Sequence, residues 1–127
     1  TDGWIVNPES WTDEFLIYDY IGAPWENFTG FTDIPVEQKV GNGGFSLRSK
    51  KYIKTTSAYI ERYSTDPNLL HPEDKFFCRD KRNLMEELGI RYAPIEIARQ
   101  FSCENFRITN QFGFHGKITL LINNLQL

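Results

Sequence analysis

An α/β fold, a mixed sheet with flanking helices, is what this chain predicts, and three observations carry that expectation. Short strand-like runs alternate with stretches whose apolar residues recur at helical spacing, the pattern of a layered α/β architecture. The 127 residues are 40% hydrophobic, which suits a single domain with a modest core and is too apolar for a disordered chain. The third observation is the glycine cluster Val40-Gly41-Asn42-Gly43-Gly44, which runs straight into Phe45-Ser46-Leu47-Arg48-Ser49. Glycine lacks Cβ, so such a run ahead of a strand marks backbone that must come close to something.

Taken in order, Gly3 to Val6 reads as the end of a strand or a strand-to-helix turn. Asn7-Pro8-Glu9 has the order of an N-cap, a first helical position and an acidic first turn. Trp11, Phe15 and Leu16 would then form one apolar stripe. Tyr18 to Ile21 is the next strand, expected to stop at Gly22-Ala23-Pro24. From Trp25 to Lys39 the periodicity is lost, so the segment reads as a long loop, either a binding loop or a plain connection.

After the strand Phe45 to Leu47, Ser49 is a candidate N-cap for a helix through about Arg62. Its buried side would be Tyr52, Ile53, Thr56, Tyr59, Ile60 and Tyr63. A polar break from Ser64 to Asn68 precedes a second helix, Pro72 to Leu88, with Phe76, Phe77, Leu84 and Leu88 as its contacts and Gly89 at C′. Ile90 to Ala93 is a strand ended by Pro94, and Ile95 to Phe101 is a short helix. Phe112-Gly113-Phe114-His115-Gly116 follows, then an apolar tail, Ile118 to Leu125, that fits helix and strand equally.

Composition excludes several classes. A net charge of -3 leaves no electrostatic footprint for nucleic acid. No apolar run is long enough for a transmembrane segment. Cys78 and Cys103 are the only cysteines, too few for a disulfide framework, and they fit a reducing, cytoplasmic compartment. Both fall on apolar helical patterns and read as buried packing residues. There is no P-loop, no paired CxxC and no Gly-x-Ser-x-Gly elbow.

The residues left to carry chemistry are few. Glu73 and Asp74 follow Pro72 in the first turn of the second expected helix, where the helix dipole favours ionised carboxylates. One could orient a hydroxyl while the other takes its proton; first-turn acids also serve simple capping. His115, between Gly113-Phe114 and Gly116, has room around its ring for a divalent metal or a phosphate, or is a half-buried histidine satisfied locally. Asp2 could supply a partner oxygen. Trp25, at the mouth of the long loop, is a candidate sugar-stacking platform. His71 reads as a local hydrogen-bonding residue.

Several ordered motifs give a resemblance that covers nearly the whole chain: Tyr18-Asp19-Tyr20-Ile21-Gly22-Ala23-Pro24-Trp25, the Val40 to Ser49 run, His71-Pro72-Glu73-Asp74, Ala93-Pro94-Ile95-Glu96-Ile97-Ala98, Phe101-Ser102-Cys103-Glu104 and Phe112 to Gly116. Together they resemble a microbial and viral family of glycosyltransferase-like proteins, most of which are described only as a domain of unknown function. The motif order is also similar to the C-terminal half of A-type (GT-A) glycosyltransferases such as the animal β-galactosyltransferases. The resemblance implies a nucleotide-sugar donor, a carbohydrate or other hydroxyl acceptor, and inverting transfer. It implies Gly43 and Gly44 at the acceptor floor, with Asn42, Arg48 and Trp25 among the donor- and acceptor-binding residues. It further implies Asp74 as base, Glu73 on the acceptor, and His115 with Asp2 on Mn2+ or Mg2+. The chain departs from that pattern in having Gly3 where a second aspartate would follow Asp2.

Thr1, rather than Met, opens the sequence, and the family's segment before the first helix is present only as Thr1-Asp2-Gly3. The expectation is therefore a fragment, residues 1–127, that lacks a preceding nucleotide-binding half and is not active alone. Two other readings stay open at this point. One is a non-catalytic carbohydrate-binding or scaffold domain, and the other a glycoside hydrolase using the Glu73–Asp74 region.

Overall fold

The structure is a computed structural model, and it describes residues 3–25, 35–63, 75–104 and 110–116, the side chains of Glu37, Asn42 and Glu104 excepted. Among the described residues the strands β1 (Gly3–Ile5), β2 (Tyr20–Pro24) and β3 (Val40–Arg48) come first, three α-helices follow, and β4 (Ser102–Glu104) and β5 (Gly113–His115) come last. The helices are α1 (Lys50–Tyr63), α2 (Arg82–Glu87) and α3 (Ile95–Phe101). The expected mixed α/β class holds, with the strands divided between two small sheets in the orders β1-β5-β4 and β2-β3.

The ribbon β2–β3 is the centre because it is apolar on both faces. Tyr20 points into one core cluster with Tyr52, Phe77, Cys78, Met85, Ile90 and Tyr92. Ile21 points into the other with Phe15, Val40, Ala93, Ile95, Ala98 and Phe101. That split is the period-two alternation of a strand buried on both sides. Every residue of β2 is buried. Arg91 to Ala93 runs beside it, with a parallel bridge between Tyr20 and Tyr92, so Tyr92 and Ala93 divide between the same two clusters.

One carboxylate ties three chain segments together at the start of this ribbon. Asp19 accepts from the Ser49 hydroxyl at 2.6 Å through Oδ1 and from the Arg91 N–H at 2.8 Å through Oδ2. Ser49 Oγ also accepts from the Tyr52 N–H at 3.0 Å, which makes Ser49 the N-cap of α1 as its residue type predicts. At the far end of α2, Gly89 stands at φ +89°, where glycine avoids the strain of a Cβ. Its N–H donates to Glu86 O, and the Ile90 N–H reaches back to Met85 O, both at 3.0 Å, the paired bonds of a Schellman ending.

Three expectations are corrected. The first helix is instead two 3₁₀ turns, Pro8–Ser10 and Asp13–Ile17, because Trp11 is extended and Thr12 caps a fresh start by accepting from the Glu14 N–H. Phe15 is buried, but Leu16 is exposed. Gly22-Ala23-Pro24 does not stop β2; these residues belong to it, and the register shifts there instead. The helix expected to reach Leu88 is broken by a π turn, Phe76–Asp80, closed by the Lys81 N–H donating to Phe76 O at 2.8 Å.

An extra residue in that turn rotates the following face by about 100°. Arg82 and Met85 therefore point inward, and Leu84 and Leu88 line an open groove of ≈ 500 Å³ with Ala58, Tyr59 and Tyr63. The buried Arg82 is compensated: it donates to Glu86 Oε1 at 3.0 Å and to Gln38 O at 2.8 Å, and lies 4.5 Å from the Tyr92 ring centre. On α1, Tyr52 and Thr56 are buried as expected, whereas Ile53, Ile60 and Tyr63 are exposed. The Pro72 end of the second helix, the polar break and the C-terminal tail lie outside the described residues.

Tyr52 and Tyr92 are the phenols in this core whose ionisation burial opposes. Burial, then the neighbouring Cys78 thiol, pushes both phenols far above their usual range. The folded state holds them protonated while the unfolded chain ionises near pH 10, so their contribution is complete below about pH 10 and is lost as pH rises beyond it. Melting temperature should therefore fall above about pH 10, and Tyr52→Phe should flatten that fall. Equal slopes for the two proteins in a series of melts would show that Tyr52 does not contribute to it.

Candidate functional site

The glycine cluster is a bulge in β3. Gly22 pairs with Ser46 and Ala23 with Asn42, so one step along β2 spans four along β3. Gly43, Gly44 and Phe45 are thrown out of the ladder, and the Ser46 hydroxyl donates back to Gly43 O at 3.2 Å across the bulge. Bulges bend a strand and re-aim its residues, often beside functional sites.

What the bulge meets is the face of the small sheet that carries β5. A Cβ built on Gly44 would collide with the His115 ring at Nε2, Cδ2 and Cε1. A Cβ on Gly113 would collide in turn with the Phe45 ring. Each strand thus supplies a glycine that receives a ring from the other. Gly3, paired with His115 across β1–β5, completes the corner, and a Cβ there would stand 3.1 Å from Gly44 O. Gly44 is exposed, His115 is half-buried, and its Nδ1 is buried. The Nε2 edge is therefore the one set against an exposed glycine.

Of the residues the sequence nominates, Gly43, Gly44 and His115 come together here. Asp2, His71, Glu73 and Asp74 lie outside the described residues, as does the side chain of Asn42. Gly3, the chain neighbour of Asp2, is the residue opposite His115. Trp25 and Arg48 stand elsewhere, Trp25 packed against the core cluster of Tyr20 and Tyr52 and Arg48 over those two rings. Part of the Trp25 indole occupies the space a Gly41 Cβ would need, at 2.5 Å, beside Cys78, so the ring is used in packing. Arg48 donates from Nε to Ser46 Oγ at 3.2 Å and lies 5.6 and 5.7 Å from the Tyr20 and Tyr52 ring centres. Each such cation–π contact contributes on the order of 0.5–1 kcal/mol when exposed and more when desolvated.

Residues 1–115 match the model of a family described as a protein of unknown function (DUF5672). The chain belongs to that family. No curated protein and no solved structure matches it. The family description assigns no chemistry.

Sequence reasoning missed β4, and with it the placement of Glu104, which takes the register position beside His115. The only available signal was the motif Phe101-Ser102-Cys103-Glu104, and Cys103 reads as helical there rather than as strand. Both cysteines are buried free thiols, as their apolar surroundings suggest. Among the described residues no three His, Cys, Asp or Glu form a metal-holding group. At the corner the His115 ring itself fills the space beside Gly44.

Because Gly113 receives the Phe45 ring, Gly113→Ala should overpack the corner by about 1–3 kcal/mol. Phe45→Leu should recover part of that loss. Chemical denaturation of the single and double variants measures the coupling, and strictly additive effects would argue against the interlock.

Proposed function

We propose that this chain is the acceptor-side half of a glycosyltransferase of GT-A architecture, moving a sugar from a nucleotide-sugar donor to an acceptor hydroxyl with inversion. The observation that supports this most is the meeting of Gly44 and His115, beside Gly3, from three separate segments at one exposed bulge. The resemblance puts a floor glycine and a histidine at these positions, and their contact supports the reading.

In this reading Glu73 holds the acceptor and Asp74 takes the proton from its hydroxyl. The freed oxygen attacks the anomeric carbon in line, the bond to the leaving phosphate breaks, and nucleoside diphosphate departs through an oxocarbenium-like transition state. Gly43 and Gly44 lie at the acceptor floor, where the missing Cβ of Gly44 makes room for the His115 ring, and His115 serves the diphosphate side. When bound with His115 and Asp2, Mn2+ or Mg2+ supplies charge neutralisation at the leaving group. Buried free thiols support a cytoplasmic location, with the cytosolic face of a membrane as one setting for it. No helix among the described residues is long and apolar enough to cross a membrane.

Screening the full-length protein for nucleoside diphosphate release from a panel of nucleotide sugars tests the reaction class. Asp74→Asn then tests the mechanism, because asparagine keeps the size but cannot take a proton. Its kcat should fall roughly 10²- to 10⁴-fold with donor affinity retained. Glu73→Gln should act more on acceptor KM than on kcat. Near wild-type turnover by Asp74→Asn, with its melting temperature unchanged, would leave the pair as helix-capping residues. Glycan binding without any transfer, insensitive to that change, would favour a carbohydrate-binding module.

A further inference from the structure

The groove between α1 and α2 is apolar with a basic rim. From α1 it is lined by Lys54, Ala58, Arg62 and Tyr63, and from the α2 side by Leu84 and Leu88. Tyr63 and Leu88 remain 60% and 52% exposed. Both charged residues of the lining are cations, about 12 Å apart along α1 at 1.5 Å per residue. The ion pairs among the described residues, Arg79–Asp80 and Arg82–Glu86, involve neither of them.

The 3₁₀ turn Asp13–Ile17 has the opposite character. Side chains three apart eclipse in a 3₁₀ helix, so Asp13 stands over Leu16 and Glu14 over Ile17. Phe15 takes the third direction, into the core. Leu16 and Ile17 are 60% and 50% exposed, and both acids are exposed with them. Trp11 Nε1 donates to Asp13 Oδ1 at 3.1 Å, which holds one of the two carboxylates in place. The turn thus offers two aliphatic side chains beside two acids, and the groove offers apolar walls beside two bases.

These patches cannot meet within one molecule. Phe15 belongs to the core cluster on the Ile21 face of the β2–β3 ribbon, whereas Tyr59 of the groove packs against the cluster on the Tyr20 face. We propose that the Asp13–Ile17 turn of one copy of this chain docks in the α1–α2 groove of another. Leu16 and Ile17 would lie against Tyr63, Leu84 and Leu88, with the two carboxylates toward Lys54 and Arg62. The contact joins two different patches, so it is heterologous and leaves one groove and one turn free in each pair. It is independent of the glycosyltransferase reading, because neither patch contains a residue assigned to transfer.

Sedimentation velocity of the full-length protein over a concentration series tests the contact, with each fold checked by circular dichroism. The wild type should self-associate, and more weakly as salt screens the charges. Lys54→Glu with Arg62→Glu, and separately Asp13→Lys with Glu14→Lys, should each raise the apparent Kd by about tenfold or more. A one-to-one mixture of the two variants should associate again, because the acidic turn of one meets the basic groove of the other. Undiminished association of the Asp13→Lys, Glu14→Lys variant would make the contact groove-to-groove and overturn the role of the turn. Failure of the mixture to associate overturns the pairing as well. A wild type that stays monomeric throughout leaves the groove to a different occupant and overturns the proposal.

Discussion

The contact on which the site depends is the reciprocal seating of rings on glycines between β3 and β5. His115 fills the space beside Gly44, and Phe45 fills the space beside Gly113. Neither contact tolerates a Cβ, so the two strands specify each other's glycines. The bulge that makes this possible is in turn forced by the register jump opposite Gly22 and Ala23. Local irregularity in one strand thereby fixes the approach of another from nearly seventy residues away.

The rest of the fold holds that contact in place. The β2–β3 ribbon carries a core on each face, so it can neither tilt nor slide without disturbing both. On one side Phe101, Phe112 and Phe45 pack with ring centres 5.4 to 6.3 Å apart, which ties α3 and the approach to β5 to the bulge itself. Such aromatic pairs contribute about 0.5–1.5 kcal/mol beyond their buried area. On the other side Asp19 and Ser49 lock the start of α1 to the start of the ribbon. The exposed corner at Gly44 is thus a small open surface on a rigid support, which is what a binding site that orients its ligand needs.

What could be read in the sequence was local chemistry with a single consequence. Ser49 caps α1 and Gly89 ends α2 because each residue type solves a defined backbone problem within a few residues. The glycine cluster correctly marked a close approach, whereas the His115 ring packs against Gly44 and one of its own flanking glycines, Gly113, receives Phe45 instead. What could not be read was phase and register. The π turn at Phe76–Asp80 rotated the helical face, so Arg82 and Met85 took the inward positions expected of Leu84 and Leu88. A three-residue parallel strand such as β4 has too little periodicity to announce itself, yet it sets Glu104 beside His115. The turn-forming Gly22-Ala23-Pro24 marked the bulge on its partner strand rather than the end of its own.

The proposed cation corner is tested most directly by where Mn2+ touches the full-length protein. Mn2+ added in small steps broadens nuclear magnetic resonance signals only near its binding place. The prediction is that the His115 ring and the backbone amides of Gly3 and Gly44 broaden first, while the Trp25 indole N–H and the Arg48 side chain, beside Tyr20 and Tyr52, persist. Broadening that begins at Trp25 or Arg48, or that is spread evenly over the surface, would contradict it.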